Sequence, residues 1–113
     1  MKTEQELFLS LLRELQKIDP EFPLQYAVCL VEISLDEGLS LTALSQKTGM
    51  ALSTVSRIVG ALSAHRQKGE PYGLVDVKIS RTERRRKELY LTKAGKTAIA
   101  RIETLLSEKP RAA

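Results

Sequence analysis

Between residues 40 and 65 two short stretches with helical spacing of apolar residues meet at a single glycine, a pattern that few small folds accommodate. Ser40 is a suitable N-cap for a helix over 41–48, although Ala43, three residues on, leaves the capping box incomplete. Gly49 can take the positive backbone angle that stops this helix and turns the chain. The following helix, over 52–65, carries Val55, Ile58 or Val59, and Leu62 as an apolar stripe, with Ser53, Thr54, Arg57 and Gly60 opposite. Two short helices joined in this way have the outline of a helix-turn-helix.

The flanking segments complete the order of elements. Leu7, Phe8, Leu11, Leu12, Leu15 and Ile18 recur at helical spacing, with Glu4, Glu6, Arg13, Glu14 and Lys17 on the other side. Asp19-Pro20-Glu21-Phe22-Pro23 breaks that helix, and Pro23 suits the first turn of the next. The second helix, over 24–37, has Leu24, Ala27, Val28, Leu30, Val31, Ile33 and Leu35 around most of its circumference. It is expected to be the buried centre, with Gly38 as its stop. RQKGEPYG over 66–73 reads as a loop. Val75, Val77 and Ile79 alternate with Asp76 and Lys78 as in a half-buried strand, and Leu89 and Leu91 flank Tyr90 in a second. Five of the seven residues over 81–87 are basic, which puts a cationic tip on a two-stranded ribbon. Thr92 can cap a last helix that Pro110 stops. The expected fold is mainly α with a small β-hairpin, in the order helix, helix, helix-turn-helix, hairpin, helix.

Charge divides the chain in a way its net +4 conceals. Residues 1–40 hold 3 basic and 8 acidic side chains, a net of −5, and residues 41–113 hold 15 and 6, a net of +9. One region is suited to face a polyanion and the other is not. By charge alone an anionic membrane or an acidic protein would fit as well as nucleic acid. One Cys and one His cannot make a disulfide or a four-ligand zinc site, so no metal or cofactor is expected. No apolar stretch approaches a membrane span and the first residues lack the pattern of a signal peptide, so a cytoplasmic protein is expected. No catalytic constellation stands out, and the chain is not expected to be an enzyme.

Residues 39–95 resemble the winged-helix regulators of the MarR family. The resemblance lies in Leu44-Ser45, Gly49, Ser53-Thr54-Val55-Ser56-Arg57, Glu83-Arg84-Arg85 in the wing, and Leu91-Thr92-Lys93-Ala94-Gly95. It implies a single winged-helix domain over 1–113 that binds double-stranded DNA and regulates transcription, as a repressor or otherwise. Residues 39–92 would form the DNA-binding lobe, and the helices within 1–20 and 92–109 the dimerisation region of a homodimer. In the family, small-molecule effectors commonly sit between those two parts; no residue here is assigned to one. The chain ends at Ala113, before the extra helix that often follows in the family.

Ser53, Thr54, Ser56 and Arg57 are the expected contacts in the major groove, where short side chains let a helix approach and an arginine can pair with guanine. In the family an arginine of the wing tip enters the minor groove. Here Arg85 matches it, with Glu83 for the usual Asp, while Arg81, Arg84, Arg86 and Lys87 would contact phosphates. Leu7, Phe8, Leu11, Leu12, Leu105 and Leu106 are the expected dimer contacts. Ala51 stands where the family commonly has a capping Ser or Asp, and the loop from His65 to Gly73 is longer than the family's link. Ser45 is small where the two helices of the motif must cross closely.

Other chemistry-bearing residues have plainer readings. Cys29 lies in the most apolar helix with no nearby cation, a setting that raises a thiol's pKa and makes it inert. His65 fits a favourable charge at a helix end, and Asp36-Glu37 an exposed helix end. Two Phe and three Tyr supply few stacking platforms for single strands. A winged-helix adaptor that docks an acidic protein, and a replication or partition factor of a mobile element, are the alternatives.

Overall fold

The computed structural model describes residues 3–64, 71–82 and 86–107. Five helices and one hairpin follow the expected order: α1 (Glu4–Ile18), α2 (Leu24–Leu35), α3 (Leu41–Thr48), α4 (Leu52–Leu62), β1 (Val75–Ile79), β2 (Lys87–Leu91) and α5 (Lys93–Ser107).

Each helix begins where a local group can satisfy its free N–H donors. Thr3 and Glu6 form a reciprocal capping box at the start of α1. Pro23 precedes α2 as its N-cap, one position earlier than the first-turn placement expected, and its carbonyl accepts from Tyr26 and Ala27. Ser40 Oγ accepts from the Ala43 amide at 3.1 Å to open α3, and Gly49 closes it in the left-handed region at φ 72°. Ala51 gives α4 no side-chain cap. Thr92 Oγ1 accepts from Gly95 at 3.1 Å and donates to the Gly73 carbonyl at 2.7 Å, so it starts α5 and fastens it to the strand approach.

Two helices are shorter than their apolar periodicity suggested. α2 stops at Leu35, because Asp36 leaves helical geometry and Gly38, at φ 97°, turns the chain toward α3. α4 stops at Leu62, three residues early, because the backbone after it becomes a pairing edge. Ala61, Ser63 and Leu62 accept from Tyr72, Gly73 and Leu74, which leads the chain straight into β1.

The strands pair antiparallel from Val75↔Leu91 to Ile79↔Lys87. A third, very short partner was not expected. Ser40 bridges Glu88, the Gly38 amide donates to the Leu89 carbonyl at 2.7 Å, and the Leu89 amide donates to Leu39 at 3.0 Å. The hairpin is thereby anchored to the residues that start α3. Glu37 adds to the anchor, its Oε1 accepting from the Leu91 amide at 2.8 Å, so this residue, exposed just past the end of α2 as expected, is also a structural tie.

The core lies where α2, α3, α4 and β2 converge. Cys29, Leu30 and Ile33 meet Leu44, Val55, Ile58, Leu62 and Leu89, all fully buried. Phe22, Tyr26 and Tyr72 pack edge-to-face beside this core, and the Tyr72 hydroxyl donates to Asp19 at 2.6 Å. α2 is the centre on one side only. Leu24, Val28, Val31 and Leu35 form an outward row that stays exposed, although they are among the residues expected at the buried centre. Gly95 is buried where α5 crosses the strand approach, and a Cβ there would run into the Leu74 carbonyl.

Cys29 has no solvent exposure, and burial, with Glu32 as a lesser cause, pushes its thiol up to about 11. The folded protein is therefore expected to leave a disulfide reagent such as Ellman's unreacted at pH 8, while the denatured chain consumes one equivalent. Fast reaction of the native protein would contradict this. The raised value also fixes a sign: between pH 9 and 11 the unfolded thiol ionises first, so this group's contribution to stability is lost as pH rises through that window.

Candidate nucleic-acid interface

α4 divides into an anchored side and a free side. Val55, Ile58, Val59, Ala61 and Leu62 are buried, so the helix cannot rotate without opening the core. That constraint turns Ser53, Ser56 and Arg57 into solvent, all three exposed, whereas Thr54 is half-buried at the margin. Among the described residues no carboxylate forms an ion pair with Arg57.

The turn before α4 is held by side-chain hydrogen bonds. Ser45 Oγ donates to the Met50 carbonyl at 2.7 Å, and Thr48 Oγ1 donates to the Leu44 carbonyl at 2.9 Å. Ser45 thus ties the loop in addition to being small enough for a close crossing. Lys47 pairs with Asp36 at 3.1 Å across the surface, linking α3 to the end of α2.

The tip end of the paired strands lies beside the outward face of α4. Thr42 of α3, Leu52 and Ser56 of α4, and Arg86 and Lys87 of the hairpin line one cleft of about 280 Å³. The register that pairs Ile79 with Lys87 puts this cation at the tip end of the ribbon. Arg81 is exposed just beyond β1. Glu83, Arg84 and Arg85, and His65 on the preceding loop, lie outside the described residues. Of the expected DNA contacts, the structure thus brings Ser56 to the same cleft as Arg86 and Lys87, with Ser53 and Arg57 on the adjoining exposed side of α4. The fall-off of apolar burial along β1, from buried Val75 to Ile79 at 59% exposure, shows the ribbon leaving the core as it approaches its tip.

The residues expected at a dimer contact separate into two groups. Phe8, Leu12 and Leu106 are exposed, whereas Leu7 is buried within the chain and Leu11 and Leu105 are partly covered. α1 packs on α5 within the chain. The outward row of α2 has no signal in the sequence, because a helix apolar around most of its circumference gives no hint of which side lacks a neighbour. Sequence reasoning also passed over Leu52, whose side chain is 49% exposed in the midst of the polar surface of α4.

Residues 34–67, which span α3 and α4, match the family described as the IclR helix-turn-helix domain. Solved structures of similar shape extend the likeness over most of the chain. MepR of S. aureus, solved as a complex with DNA, superposes with a TM-score of 0.76 at 17% identity over 92% of this chain and 78% of its own. The transcriptional regulator PcaV of Streptomyces coelicolor, solved with its natural ligand, gives 0.63 at 22% identity over 77% of this chain and 57% of its own. The MarR family transcription regulator SP03579 gives 0.67 at 18% identity over 88% and 60%.

The chain has a winged helix-turn-helix fold.

α3 and α4 are the helix-turn-helix, the β1–β2 hairpin is the wing, and α1 and α5 are the flanking helices of this winged helix. The chain spans about six tenths of the length of PcaV and of SP03579. No curated protein is significantly similar to it in sequence. No helix among the described residues of the winged helix is long and apolar enough to cross a membrane.

Proposed function

We propose that this winged helix binds double-stranded DNA and regulates transcription by occupying its site. The observation that carries the proposal is the placement of Ser53, Ser56 and Arg57 on the free side of α4, beside a cleft that Arg86 and Lys87 share. A helix with short hydroxyl side chains can enter a major groove about 12 Å wide, and Arg57 can donate two hydrogen bonds to one guanine. The wing then follows the adjacent backbone, with Arg85 the residue for the minor groove and Arg81, Arg84, Arg86 and Lys87 for phosphates. Residues 39–92 are the DNA-binding lobe. α1 and α5, with exposed Phe8, Leu12 and Leu106, supply the contact of a homodimer. That MepR has been solved with DNA, and that PcaV is a transcriptional regulator, support this reading. A cytoplasmic, non-enzymatic role follows from it.

Selection of bound fragments from a random duplex library tests the proposal. A homodimer is expected to enrich a two-fold symmetric sequence whose half-sites lie about one helical turn, roughly 34–36 Å, apart. Enrichment of no sequence, with binding to an acidic protein in its place, would favour the adaptor and overturn the DNA reading. In the same assay Lys87→Ala is expected to weaken specific and random duplex alike and to lower the salt slope by about one. An unchanged slope would remove Lys87 from the phosphate contacts.

A further inference from the structure

Leu52 opens α4 on its free side, four residues before Ser56, one before Ser53 and five before Arg57. Around it the cleft is lined by Ser40, Thr42, Ser56, Arg86 and Lys87, with Leu41 the one other apolar side chain, and Leu52 remains 49% exposed. The core side of the helix is complete without it, since Val55, Ile58 and Leu62 are fully buried. Leu52 instead faces the cleft that Thr42, Ser56 and Lys87 line. Apolar surface left in water at such a place is stabilised by an apolar ligand group that covers it.

The first residues of a recognition helix are those that reach base edges. Along the floor of the major groove, the apolar group that a base offers is the C5-methyl of thymine. We infer that Leu52 is a specificity-determining residue that reads a thymine methyl group in each half-site. Arg57 and the serines supply hydrogen bonds, which select by donor and acceptor pattern, and Leu52 adds selection by shape. The inference rests on the DNA-binding reading above and deepens it.

Deoxyuridine tests it directly, because replacing thymine by uracil removes the methyl group and leaves base pairing unchanged. The duplex enriched from the library is to be substituted one thymine at a time and titrated with the full chain. One position in each half-site is expected at which uracil weakens binding by about fourfold, the worth of one buried methyl-sized group. Leu52→Ala is expected to bind the parent duplex about fourfold more weakly and to be indifferent to uracil at that position. Alanine favours helix and the replaced side chain is half exposed, so the fold is retained, as circular dichroism would show. Leu52→Met, which keeps apolar reach, is expected to preserve the uracil penalty. Arg57→Ala is also expected to preserve it, on a weaker background. A uracil series without effect at every position, or an equal penalty in Leu52→Ala, would overturn the inference while leaving DNA binding intact. Failure to enrich any duplex would overturn both together.

Discussion

Arg57→Ala is expected to lower affinity for the selected duplex by roughly 5- to 150-fold, the equivalent of about 1–3 kcal/mol for a bidentate arginine–guanine pair. Affinity for random duplex should change little, because non-specific binding rests on phosphate contacts, which the proposed function assigns to the wing and not to Arg57. The variant should fold normally. Arg57 is exposed and pairs with no acid among the described residues, so its removal leaves neither a cavity nor a buried charge. Titration of both duplexes by fluorescence anisotropy at one salt concentration checks the split. Equal losses on the two would assign Arg57 to the backbone instead of a base edge.

The second large effect concerns the scaffold. Gly95→Ala is expected to destabilise the protein by about 3 kcal/mol or more, because the added Cβ meets the backbone carbonyl of Leu74, which cannot swing aside as a flexible side chain could. Relief requires α5 to move off the strand approach, and Thr92, bonded to both Gly95 and Gly73, opposes that movement. Gly49→Ala is the useful comparison. Its Cβ meets no atom within 4 Å, so only the φ of 72° is penalised, at about 1 kcal/mol. Urea denaturation followed by circular dichroism gives both values, and a Gly95→Ala midpoint equal to that of Gly49→Ala would refute the close approach.

Much of this architecture is legible from local patterns. The 41–48 helix has its cap, its apolar Leu44 and its terminal Gly49 within a ten-residue window, and the observed bounds agree with the sequence reading. The hairpin is legible for a similar reason, since alternation and a polar interval both lie within one short segment. What escaped depends on residues far apart in the chain. Glu37 bonds to the Leu91 amide and residues 38–40 pair with 88–89, and neither contact has a signal at either end alone. The end of α4 was overestimated because Ser63 and its neighbours turn to receive Tyr72, Gly73 and Leu74, a tertiary demand that overrides helical tendency.

At the interface itself, the polar residues of α4 were readable because a serine or arginine opposite an apolar stripe has to face outward. Leu52 and the α2 row were not, since an apolar residue is assigned to the core unless a structure shows that nothing covers it. Ser45 lies between these cases. Its size suggested a close helix crossing, and its hydroxyl also ties the turn through Met50.

The claim that one half-site is gripped in both grooves at once is tested most directly by interference footprinting on the selected duplex. Methylation of guanine N7 reports the major groove, and methylation of adenine N3 reports the minor groove. Major-groove interference is expected beneath α4, flanked by minor-groove interference where the wing lies, in each of two symmetric halves. Interference confined to one groove, or absent from both, would contradict it.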